Sequence, residues 1–114
     1  MLNTNLYMLQ RITALIMAPL VLGHIAVMIY AARGGLSAAE ILSRTQGSVW
    51  WMLFYGTFVA AVSIHAAIGL RVIVFEIFKL KGAGLVLFTW ATFIGLAFLG
   101  FRAVYAVTIA GGGL

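Results

Sequence analysis

The chain has two histidines, each inside a long apolar run: His24 in LIMAPLVLGHIAVMIYA and His65 in FVAAVSIHAAIGLRVIVFE. An imidazole in hydrocarbon is costly unless its nitrogens find partners, and an iron porphyrin with open axial positions is a good one. The residue types therefore point to haem ligation, with a hydrogen-bonded interhelical histidine as the alternative at each position. Ala61 and Gly69 lie one turn either side of His65 on nearly the same helical face, where small side chains leave a flat macrocycle room to approach. Arg71 and Glu76 follow. They supply a cation suited to a haem propionate or a quinone oxygen, and a carboxylate suited to handling protons.

The two histidines differ in expected depth. At ~1.5 Å per residue, His24 lies roughly 27 Å from a helix start near Leu6, while His65 lies roughly 16 Å from an end near Glu76. An offset of roughly 10 Å on that rise argues against one iron shared by both within one chain, since axial ligands face each other across the metal. Two stacked haems fit better, each completed by a partner subunit. Arg102, late in the third apolar run and at about the depth of His24, is a candidate for neutralising the propionates of an outer haem, its alternative being an arginine that snorkels to the interface. Near the opposite end, Tyr7, Gln10, Arg11 and Thr13 gather polar groups able to hydrogen-bond a quinone carbonyl, or simply to meet lipid headgroups.

The elements that must hold these residues are membrane helices. Of 114 residues, 65% are hydrophobic and 8% charged, with a mean hydropathy of +1.18, too little polar surface to cover a water-soluble globule. There is no cysteine, which excludes thiolate-held iron–sulfur clusters, cysteine-bound zinc, disulfides and covalently attached haem. The net charge of +5 sits near segment ends, where lysine and arginine meet phospholipid, so no nucleic-acid role is expected. Three apolar stretches, about 6–32, 49–78 and 85–109, each exceed the ~20 residues needed to cross a bilayer, and backbone pairing in lipid makes each a helix. The expected fold is all-α, a single three-helix transmembrane domain over 1–114.

Gly34-Gly35, Gly82 to Gly84 and Gly111 to Gly113 mark the breaks, and Pro19 should be carried inside the first helix. The first run, with Gln10 and Arg11 near its start, is too long for a signal-peptide core. Ser37-Ala38-Ala39-Glu40 fits a capping box that starts a short interfacial helix toward Arg44. Arg11, Arg71, Lys79 and Lys81 fall on one side and Arg33 and Arg44 on the other, which predicts a cytoplasmic N-terminus and an outer C-terminus. Trp50, Trp51, Tyr55 and Tyr30 read as an outer aromatic belt with no chemistry assigned. Ala60, Ala61, Ala66, Ala67, Gly95 and Gly100 permit close helix contact, in keeping with a chain that pairs with a second hydrophobic subunit.

The run His65-Ala66-Ala67-Ile68-Gly69-Leu70-Arg71, followed by Glu76, resembles the H-x-x-x-G-[IL]-R…[DE] pattern in the cytochrome b membrane anchor subunit of succinate dehydrogenases and fumarate reductases. Gln10-Arg11-Ile12-Thr13 resembles the [HQ]-R-[IL]-[ST]-G start of the same family, with three spans in the same order. The resemblance implies that His65 is an axial ligand of haem b, that Arg71 pairs with a propionate or serves the quinone site, and that Arg11 belongs to that site. It departs from the family at Ala14, in place of a glycine, at Tyr7, often a serine, and at Val72, often a histidine. His24 is similar to a ligand of the dihaem branch, which makes this chain half of a heterodimeric haem-binding bundle.

The implied partners are a second hydrophobic anchor subunit, an iron–sulfur subunit, a flavoprotein subunit, membrane lipid, and ubiquinone or menaquinone, in a bacterial cytoplasmic (inner) membrane. The expected function is electron transfer between iron–sulfur clusters and quinone in a succinate:quinone or quinol:fumarate oxidoreductase, the succinate or fumarate chemistry belonging to the flavoprotein. Two alternatives stand beside it: a haem-free anchor of the same complex, and a small transporter or channel subunit with a polar pathway lined by the histidines and Arg102.

Overall fold

The computed structural model describes residues 3–110. They form four helices: α1 Thr4–Arg33, α2 Ala38–Thr45, α3 Val49–Phe78 and α4 Gly82–Thr108. The three long helices are each apolar and long enough to cross a bilayer. The expected all-α, three-span architecture is therefore what the chain adopts, with boundaries that extend the first span by a few residues and start the third at Gly82. The glycines at 111–113 lie outside the described residues.

Local chemistry sets these limits. Asn3 caps α1, its side-chain oxygen accepting from Leu6 N–H at 2.8 Å, and the helix runs through Pro19 to a turn where Gly35 takes φ 64°. The capping box forms in both directions at α2: Ser37 Oγ accepts from Glu40 N–H at 3.2 Å, and Glu40 Oε1 accepts from Ser37 N–H at 3.0 Å. Ser48 caps α3. At its other end Lys79, left-handed at φ 60°, turns its ammonium back to donate to Glu76 O at 2.8 Å, and Gly82 at φ 65° opens α4.

Helix α3 lies in the middle, packed on α1 and on α4. It approaches α4 closely at Gly100, where a Cβ would overlap the γ carbons of Val59. Gly23 plays a milder version of this role on α1, with a Cβ position 3.3 Å from Phe54. Ala61 and Ala67 are buried as well, so several small residues expected at a partner interface close contacts within this chain, while Gly95 remains open. The short α2 lies across one end, tied to α4 by Gln46 Nε2 donating to Ala106 O at 2.7 Å and by Gly47 N–H donating to Thr108 O at 2.7 Å.

Candidate functional site

His65, on the middle helix, faces α1. Its Nδ1 lies 3.2 Å from Thr13 Oγ1, and Thr13 is buried at 3% exposure. The Thr13 hydroxyl also reaches back along its own helix, 2.9 Å from Leu9 O and 3.0 Å from Gln10 O. Nε2 of His65 makes no hydrogen bond among the described residues, and the ring is half-buried. One nitrogen is thus engaged inside the chain while the other is available outward.

The surroundings of His65 differ from the expectation in one respect. Ala61 is buried in the helix packing, and the space beside Gly69 is filled by the Gln10 amide, whose Nε2 sits 3.6 Å from where a Cβ would be. These two small residues do not leave a slot for a flat ring. Gly69 leaves room for the Gln10 amide of α1 on this face of α3.

Arg71 lies one and a half turns further along α3 and donates from Nη1 to Thr89 Oγ1 of α4 at 3.1 Å, while Thr89 passes its own proton to Leu85 O at 2.8 Å. Its Nε is buried without a partner, and no ion pair involves it among the described residues. A guanidinium N–H buried in this way has the chemistry to meet an anionic oxygen. Glu76, by contrast, is exposed. The four residues grouped at the start of α1 divide by face. Tyr7 and Arg11 point outward as a pair, Arg11 Nη1 donating to Tyr7 Oη at 3.1 Å, whereas Gln10 and Thr13 face α3. Gln10 Oε1 is buried without a donor.

His24 occupies a separate level. Edge contacts join it to Tyr55 and Phe58 of α3, at centroid distances of 5.7 Å and 5.4 Å, and Nδ1 is buried without a partner. It borders an open pocket of about 660 Å³ among the helices, lined also by Ile41 and Thr45 of α2 and by Tyr55, Ser63 and Gly100. That volume lies within the ordinary range of small-molecule sites. Thr13 and His24 stand roughly 16 Å apart along α1 at ~1.5 Å per residue, so the two histidines present to different heights of the bundle. Arg102 is exposed on α4 and does not line the cavity, so the structure does not bring it to His24.

Three contributors carried no signal of their own in the sequence. Thr89 is one more threonine in an apolar span, although it lies as far from the α3–α4 turn as Arg71 does, and that depth match was readable. Tyr55, placed in the aromatic belt, packs on His24 and stacks on Trp51. Ser63, at 1% exposure, faces the cavity.

Three antiparallel apolar helices, each long enough to cross a bilayer and carrying imidazoles and a guanidinium among them, define an integral membrane protein. The chain belongs to the succinate dehydrogenase/fumarate reductase transmembrane subunit family, whose family model matches residues 1–101. It is a membrane subunit of that class of complex. No curated relative and no solved structure gives a significant match.

Proposed function

We propose that this chain is the haem-bearing membrane anchor of a succinate:quinone or quinol:fumarate oxidoreductase. His65 would hold the iron of haem b through Nε2, with a second hydrophobic subunit completing its ligation. The observation that carries this reading is the state of His65, with Nδ1 held by Thr13 and Nε2 free, the arrangement an axial histidine needs. Haem supplies one-electron transfer between the iron–sulfur subunit and quinone. The chain's residues do the rest. Arg71 directs its unused Nε–H toward a propionate or quinone oxygen, and Thr89 holds the guanidinium in place. Gln10, with Tyr7 and Arg11 on the adjoining face, frames the quinone headgroup at the end of the bundle where Arg71, Lys79 and Lys81 also lie. That basic end faces the cytoplasm of a bacterial inner membrane.

His24 extends the reading to a second haem at the opposite level, favoured by the cavity that adjoins its ring. The lining residues include no cation, so Arg102 or the partner subunit must meet the propionates there.

His65→Ala in the purified complex should remove a low-spin b-type contribution from the reduced-minus-oxidised spectrum, together with the haem it represents. An unchanged spectrum at unchanged haem content rejects ligation by His65. Two haems per complex, one lost in His24→Ala, is the expected stoichiometry of the extended reading.

A further inference from the structure

A neutral imidazole offers a lone pair to a metal from one nitrogen only when its proton sits on the other, so the partner of the second nitrogen decides which atom can ligate. At His65 that partner is a hydroxyl, able in principle to donate or to accept. The geometry around Thr13 resolves the choice. Its single proton has two carbonyl acceptors on its own helix, Leu9 O at 2.9 Å and Gln10 O at 3.0 Å, both nearer than the ring nitrogen at 3.2 Å. Backward bonding of this kind is what a threonine inside a helix does. What Thr13 turns toward α3 is then an oxygen lone pair, and the hydrogen between the two residues must come from Nδ1 of His65.

We propose that Thr13 is the positioning residue of the haem site. By accepting from Nδ1–H it fixes the tautomer of His65, leaves the Nε2 lone pair bare, and sets the ring plane from the neighbouring helix. The inference rests on the reading of His65 as the axial ligand. Thr13 is 3% exposed, so water does not compete for the Nδ1 proton. A neutral hydroxyl that already donates elsewhere accepts more weakly than a carboxylate does. It therefore lends the imidazole only a modest share of added basicity, and with it a modest push of electron density toward ferric iron.

The test uses the purified complex with Thr13→Val, Thr13→Ser and His65→Ala, read by haem content, reduced-minus-oxidised spectrum and haem midpoint potential. Valine keeps the shape of threonine and removes the acceptor. The potential of Thr13→Val should move positive, because a less basic ligand disfavours ferric iron, and Thr13→Ser should return it to the native value. Loss of haem from an assembled Thr13→Val complex, restored in Thr13→Ser, supports the proposal equally. Should Thr13→Val fail to assemble, Thr13→Ala removes the hydroxyl without a second branch and is read the same way. An unchanged potential and spectrum in Thr13→Val, or a serine variant that behaves like the valine one, overturns the role of Thr13 while haem ligation stands. A full haem signal in His65→Ala overturns the ligation itself.

Discussion

Arg71 is a cation held among apolar helices, and its only hydrogen bond among the described residues runs to Thr89 on the next helix. A hydrogen bond from a charged donor is worth about 1.5–3 kcal/mol, and removing the acceptor leaves a second guanidinium N–H unmet. Thr89→Val should lower stability by about that amount, measured by thermal unfolding of the detergent-solubilised complex. Arg71→Leu should shift the haem potential negative, because a nearby positive charge favours the reduced, more negative centre, and potentiometric titration reads the shift directly. The candidate residues stood out in the sequence, since His24, Gln10 and Arg71 are polar groups where apolar ones are expected, and among the described residues these same three own the buried side-chain atoms without partners. Their pairings were not visible. Thr13 lies with Tyr7, Gln10 and Arg11 near the start of α1, and at 100° per residue it is turned about 200° from Arg11, where it meets His65.

The elements were legible wherever one local rule sufficed. The Ser37–Glu40 capping box, the Gly34-Gly35 turn and the α3 span over 49–78 all follow from short-range chemistry. In the capping box the Ser37 backbone N–H, then the Ser37 hydroxyl, hold the Glu40 carboxyl below the ordinary glutamate range, with Arg44 adding a smaller pull. Such a lowered value means that the interaction is complete above the pKa of the unfolded chain and lost as pH falls through the lower, folded one. A titration of the Ser37 and Glu40 amide resonances should accordingly have its midpoint below the normal glutamate range, and Ser37→Ala should raise it. Contact between elements was harder to foresee. Small residues permit a close approach but do not say to which helix, and it is Val59 of α3 that a Cβ at Gly100 would meet. A β-branched side chain in a helix has little rotamer freedom with which to yield. Gly100→Ala should therefore cost about 1–3 kcal/mol through overpacking, measured by thermal unfolding, with Val59→Ala relieving it.

At the scale of the whole molecule, large apolar side chains line the outside: Trp50 is 83% exposed, Leu15 74% and Phe78 73%. Lipid and partner subunits are the solvent for these surfaces. With no native cysteine, a single cysteine placed at Lys81 should react with an impermeant thiol reagent only from the cytoplasmic side, and one at Arg44 only from the other. The reverse labelling pattern would invert the proposed topology. The amino-acid sequence by itself determined the membrane, the three spans, the family and the residues able to do chemistry, because hydropathy, helix caps and residue type act over a turn or a segment. Only the tertiary structure decided that His65 meets Thr13, that Gln10 covers Gly69, that Thr89 holds Arg71 and that His24 opens on a cavity. Each of those contacts depends on the relative rotation of two helices about their axes. That rotation is set by the sum of many packing contacts across both faces, and no short pattern along one helix carries it.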